Sequence, residues 1–114
     1  MNLYTSKISD ADVAWKYALP VAPNREGYLP ISKNSKHEIY YAEYGNPKGE
    51  PVIFLHGGPG GACDVKDTRF FDQNRYRIVL FDQRGCGKSK PNVANDPENG
   101  LVDNDTPHLI ADIE

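Results

Sequence analysis

Val52-Ile-Phe-Leu-His-Gly-Gly-Pro-Gly-Gly61 is the stretch that decides the fold. Its first four residues are a continuous apolar run without alternation, the pattern of a strand covered on both faces, as in a parallel sheet. The run stops at His56, and Gly57, Gly58, Pro59, Gly60 and Gly61 follow. Arg77-Ile-Val-Leu-Phe-Asp82 repeats the arrangement, ending at a second glycine-rich turn, Gln83-Arg-Gly-Cys-Gly-Lys-Ser89. The intervening residues 56–76 are long enough for a right-handed crossover between two parallel strands. Over 64–74 they are polar and read as a short helical stretch carrying Phe70 and Phe71.

Working outward, Gly27–Ile31 and His37–Tyr44 are predicted to form an antiparallel hairpin, turning at Lys33-Asn34-Ser35. Residues 45–49 are a turn cluster. Residues 90–105 read as a long polar loop. Thr106 as N-cap and Pro107 at the first helical position open a helix. Leu109, Ile110 and Ile113 form its apolar face, with Asp112 and Glu114 turned away. The sequence stops about eight residues into this helix, with the apolar face begun and no C-cap, which reads as an end inside an element. Residues 1–24 read as an N-terminal extension in which Ile8, Ala11, Trp15 and Leu19 share a helical face, capped by Ser9 or Asp10 and ended by Pro20 and Pro23. Residues 25–114 read as the N-terminal portion of an α/β domain, a hairpin leading into a mostly parallel sheet. In isolation this portion is expected to fold poorly, because parallel strands need helices on both faces and a further strand at the Arg77–Asp82 edge.

Composition narrows the function classes. The 114 residues hold 13 Lys+Arg and 16 Asp+Glu, a formal charge of −3, and no basic patch of the kind that binds nucleic acid. Lys33 and Lys36 beside His37 are only a thin local pair. No apolar run reaches membrane-spanning length and no signal peptide is legible, so a cytoplasmic location is expected. Cys63 and Cys86 are then expected as free, partly buried thiols rather than a disulfide. Nothing in the sequence reports an oligomeric state.

The chemistry lies in the two glycine-rich loops. Glycines after a buried strand permit positive φ and close approach, so that a backbone N–H points into a site; the bland alternative is a turn that merely joins strand to loop. The second loop leaves the carboxyl end of its strand, the edge where open parallel sheets hold their ligands. Asp82 and Arg84 read equally as an ion pair that shapes this loop and as ordinary turn residues. Gly87-Lys88-Ser89 is not a phosphate loop, because the position that needs glycine is Asp82. Ser89 is not a nucleophile elbow, because position 91 is proline and a loop follows. His56 reads as holding its loop by hydrogen bonds rather than as a base, and His37 and His108 as surface residues. Asn104-Asp-Thr106 matches a glycosylation sequon but reads as a helix cap. No metal-ligand spacing occurs, and no cofactor is expected.

The pairing of Phe54-Leu-His-Gly-Gly-Pro-Gly-Gly61 with Leu80-Phe-Asp-Gln-Arg-Gly-Cys-Gly-Lys-Ser89 closely resembles the proline iminopeptidases (prolyl aminopeptidases), serine peptidases of the α/β-hydrolase fold. The likeness extends through Tyr44-Gly-Asn-Pro47, Phe71-Asp72, Tyr76 and Leu109–Glu114, covering about residues 26–114. The resemblance implies that Gly58 supplies one oxyanion-hole N–H. His56, Gly57, Pro59, Gly60, Gly61, Asp82, Gln83, Arg84 and Gly85 would shape the site. The family's nucleophile sits in a Gly-Gly-Ser-Trp-Gly-Ser elbow after the next strand, and its Asp, His and helical cap come later still. None of these occurs in this sequence, so the resemblance implies a full-length protein that releases N-terminal proline from peptides, without a cofactor, and a 114-residue piece that is itself inactive. The alternatives are another α/β-hydrolase activity (esterase, epoxide hydrolase or broader aminopeptidase) and a truncated, non-catalytic protein.

Overall fold

The structure is a computed structural model that describes residues 19–20, 22–58 and 60–114. The helix expected around Ile8, Ala11 and Trp15 lies outside the described residues, as does Pro59. Strands β1 (Arg25–Pro30), β2 (Glu38–Gly45), β3 (Glu50–Phe54) and β4 (Tyr76–Phe81) form one sheet in the order β1-β2-β4-β3. β1 and β2 are the predicted antiparallel hairpin, with Leu29 opposite Ile39 and the turn at Lys33-Asn34. β3 and β4 are the predicted parallel pair, with Val52 beside Ile78 and Phe54 beside Leu80.

Two expectations about the sheet are corrected. β4 is not an edge: it is hydrogen-bonded to β3 on one side and antiparallel to β2 on the other, Tyr44 facing Ile78. The edges among the described residues are β1 and β3. Nor is β3 covered on both faces. Val52 and Phe54 point to the core, but Ile53 and Leu55 on the opposite side are 43% and 51% exposed.

The period-two alternation of the strands explains the core. Ala42 and Tyr44 of β2 meet Ile78 and Leu80 of β4 on one face, and Cys63, Val65 and Phe71 of the crossover pack over them. Ile78 is fully buried, a contribution of about 1.5–3 kcal/mol for such a side chain. The crossover holds a 3₁₀ turn, Val65–Phe70, started by a reciprocal capping box between Asp64 and Asp67. Phe70 at its end stacks on Phe54, ring centres 5.5 Å apart.

The 90–105 loop is more ordered than its polarity suggests. Lys90 pairs with Glu38 through two backbone hydrogen bonds, extending β2. Helix α1 (Pro97–Gly100) follows, capped by Asp96. Helix α2 (Thr106–Ile113) appears where predicted, but its N-cap is Asp105, whose carboxylate accepts the His108 N–H at 3.1 Å. Thr106 and Pro107 occupy the first turn.

Candidate functional site

Because β3 and β4 are parallel neighbours, the loops that follow them leave the same edge of the sheet. The first loop runs from Leu55 to Ala62 and the second from Asp82 to Ser89. The rim is built by the bonds between them.

His56 makes the first link. It is 7% exposed, and its Nδ1 lies 2.8 Å from the Gly57 carbonyl while its Nε2 accepts the Gln83 N–H at 3.0 Å. A carbonyl can only accept, so both bonds require the neutral imidazole with its proton on Nδ1. The Gln83 side chain returns a bond, Nε2 to the His56 carbonyl at 3.2 Å. His56 and Gln83 thus join the two loops by a pair of hydrogen bonds.

Asp82 makes the second link. It is 3% exposed and accepts two backbone N–H groups, from Cys63 at 2.7 Å and from Lys88 at 2.8 Å. One carboxylate thus ties the end of the first loop to the end of the second. Gly87 lies against it with φ +51°, and a Cβ there would collide with the carboxylate. Gly61 is constrained in the same way, by the carbonyl of Gly57. Ser89 closes the loop from beneath. It is 1% exposed, donates to the Asp82 carbonyl at 2.5 Å and accepts the Tyr40 N–H at 2.9 Å. Both of its hydrogen-bonding roles are spent on backbone, which agrees with rejecting it as a nucleophile.

The Asp82–Arg84 ion pair is not formed, and neither residue is an ordinary turn residue. Arg84 turns away and forks onto Asp112 of α2, Nε to Oδ2 at 2.8 Å and Nη2 to Oδ1 at 2.6 Å. Its Nη1 donates to the Asp103 carbonyl at 2.8 Å, and its pKa is raised by the hydrogen bonds to Asp112. The burial of this guanidinium reverses the expected face of α2. Asp112 turns inward, while Ile110 and Ile113 are 53% and 42% exposed. A buried cation requires a charged partner more strongly than two isoleucines require cover. Gly85 is buried with φ +79°, under Val93 and Asn104. Asn104 donates to the carbonyls of Arg84 and Gly100, so the sequon asparagine is a loop brace and not the helix cap.

Gly57, Gly58 and Gly60 are exposed on the rim. The two thiols are free and half-buried. Burial pushes Cys63 up to about 11 and Cys86 also upward, and Cys63 Sγ donates to the Phe81 carbonyl at 3.0 Å. His37 is corrected from surface to buried. It is 2% exposed beside the Val102 carbonyl, 2.7 Å from Nε2, because the start of β2 runs beneath the 99–103 loop. His108 is half-exposed against Asp105. Among the described residues no group of three or more His, Cys, Asp or Glu can hold a metal ion, and no helix is long and apolar enough to cross a membrane. A hollow of about 750 Å³ lies over the uncovered face of Ile53, Val79 and Phe81 beside α2, with Arg84 in its lining.

The residues missed in the sequence are the partners: Cys63, Lys88, Tyr40, Asn104 and Asp112. Cys63, Tyr40 and Asp112 are distant in sequence from what they hold, and Cys63, Lys88 and Tyr40 act through a backbone N–H, which has no sequence signal.

The profile of the α/β-hydrolase fold family matches residues 50–113. A proline iminopeptidase of Xanthomonas citri is 49% identical over 94 residues, 82% of this chain and 28% of that protein. One of Arabidopsis thaliana is 47% identical over 95 residues, 83% of this chain and 23% of that protein. The crystal structure of a proline iminopeptidase-related protein from Thermus thermophilus is 33% identical and covers 78% of this chain and 31% of its own, with a TM-score of 0.49. The chain spans about a quarter of the length of the curated relatives it matches.

Proposed function

The chain belongs to the α/β-hydrolase fold family, and from that premise we propose that the full-length protein is a prolyl aminopeptidase that releases N-terminal proline from peptides. The observation that carries this reading is the identity of nearly half to proteins named proline iminopeptidase. A match over 94 of 114 residues is too long to omit either rim loop.

In this reading the chemistry is acyl transfer. A serine hydroxyl attacks the prolyl carbonyl, and the negative charge that develops on the carbonyl oxygen is received by the Gly58 N–H and by the N–H following the nucleophile. The tetrahedral intermediate collapses with loss of the peptide amine, and water cleaves the resulting acyl-enzyme. The contribution of the described residues is preorganisation. His56 and Asp82 hold the two loops in place before substrate arrives, so no reorganisation accompanies charge development. The 114 residues contain no Gly-x-Ser-x-Gly, and the reading assigns them the oxyanion side of the site without turnover of their own. The free thiols at Cys63 and Cys86 fit a cytoplasmic location.

The test is hydrolysis of a prolyl p-nitroanilide by the full-length protein and by the 114-residue chain. The reading expects turnover by the first, selective over leucyl and N-acetyl-prolyl anilides, and none by the second. Turnover by the 114-residue chain contradicts the division of labour. A full-length protein that cleaves esters but no prolyl amide contradicts the substrate.

A further inference from the structure

Helix α2 is attached to the rest of the chain in an unusual manner. None of its residues is buried in the ordinary apolar sense, and two of its isoleucines are largely exposed. Its hydrogen-bonded attachment runs through Asp112, whose two oxygens are both taken by the fork of Arg84, each side chain 2% exposed. A planar guanidinium that meets both oxygens of a carboxylate fixes direction as well as distance. The third donor of Arg84 holds the Asp103 carbonyl, at a residue with φ +49° just before the helix. The N-terminal neighbour of Arg84 is Gln83, which is bonded by backbone and by side chain to His56 of the first loop. A short bonded path therefore runs from the glycine loop through His56, Gln83 and Arg84 into α2.

A buried ion pair is a weak source of stability, because desolvation offsets most of the attraction, and apolar residues of similar volume commonly do as well. Its particular property is orientation. We propose that Arg84 is a positioning residue of the hydrolytic site. Its fork on Asp112 sets the rotation of α2 about its own axis against the two rim loops. That rotation fixes where the nucleophile-bearing segment after the helix arrives relative to the Gly58 N–H. The proposal rests on the reading of the protein as a serine hydrolase. A displacement of roughly 1 Å between reacting groups is enough to cost about 100-fold in rate.

The experiment compares the full-length protein with Arg84→Lys and with the double variant Arg84→Met/Asp112→Leu. Melting temperature, kcat and KM are measured on a prolyl p-nitroanilide and on p-nitrophenyl acetate. Lysine keeps the charge and loses the fork; the double variant keeps the volume and loses the direction. Expected is a double variant that melts at or above the wild-type temperature. In both variants kcat should fall at least about tenfold on both substrates, with KM within about twofold. A kcat within about twofold of wild type in folded Arg84→Lys or in the folded double variant overturns the proposal. So does a loss confined to KM. If the double variant does not fold, Arg84→Lys assayed below its melting temperature decides. A wild-type protein active on the ester but not on the prolyl amide removes the substrate reading, and the ester ratios still decide the role of Arg84. A wild-type protein inert to both removes the two together.

Discussion

Asp82 gives the sharpest energetic prediction. Its carboxylate accepts the Cys63 and Lys88 N–H groups, at 2.7 and 2.8 Å, in a site where the residue is 3% exposed. A hydrogen bond to a charged group contributes about 1.5–3 kcal/mol, and a buried donor left alone costs about as much. Asp82→Asn keeps one acceptor oxygen and turns an NH₂ toward the other N–H, so one bond is lost and about 2 kcal/mol with it. Asp82→Ala strands both donors and should cost about 4 kcal/mol, a large share of a typical domain's 5–15 kcal/mol. Urea unfolding of the full-length variants reads these losses as a lower midpoint at unchanged slope. Hydrogen exchange followed by mass spectrometry then localises them. Peptides covering Cys63 and Lys88 should exchange faster, while peptides covering β1 do not. If Asp82→Asn lies within about 0.5 kcal/mol of wild type, or the exchange is spread evenly, the carboxylate does not join the two loops and the account of the rim is wrong.

Three further outcomes are expected in the full-length protein. Gly58→Pro removes the proposed oxyanion donor and should lower kcat by about 10²–10³ with KM little changed; a smaller loss in a folded variant places the donor elsewhere. Ser89→Ala leaves the Tyr40 N–H and the Asp82 carbonyl without the hydroxyl, and should cost about 2 kcal/mol of stability while the folded protein keeps its kcat. Abolished turnover in a folded Ser89→Ala protein would make Ser89 a participant. Cys63 holds its proton above the ordinary thiol value of 9.0, to about 11, so its contribution to stability is present below pH 9 and is lost as pH rises from 9 to 11. Below pH 9 iodoacetamide should modify Cys63 more slowly than a free thiol, and rapid labelling at pH 8 contradicts the burial.

The legible part of the fold is the part written in local patterns. Val52–Leu55 and Arg77–Asp82 are apolar runs cut by glycine, and that contrast carries both the parallel pair and its two rim loops. The strand ends fall within two residues of the expected positions at both runs. The order of strands is less legible. That β4 lies between β2 and β3 depends on which edges pair across the whole chain, which no window of sequence reports. The site divides in the same way. The role of His56 is legible because a histidine beside glycines has backbone groups close at hand. For Arg84 the sequence offers Asp82, its near neighbour, although its partner is Asp112, 28 residues on. Asp112 sits on what looks like the outer face of a helix until a buried guanidinium is found beneath it. His37 looks like a surface residue among its polar neighbours, and is buried because the 99–103 loop closes over it.

The proposed role of these two loops is to form the oxyanion side of a serine hydrolase whose nucleophile lies elsewhere in the protein. It is tested most directly by treating the full-length protein with a fluorophosphonate and mapping the adduct by peptide mass spectrometry. One adduct per molecule is expected, on the serine of a Gly-x-Ser-x-Gly segment beyond Glu114. An adduct on Ser89, or none in a protein that hydrolyses prolyl amides, would contradict it.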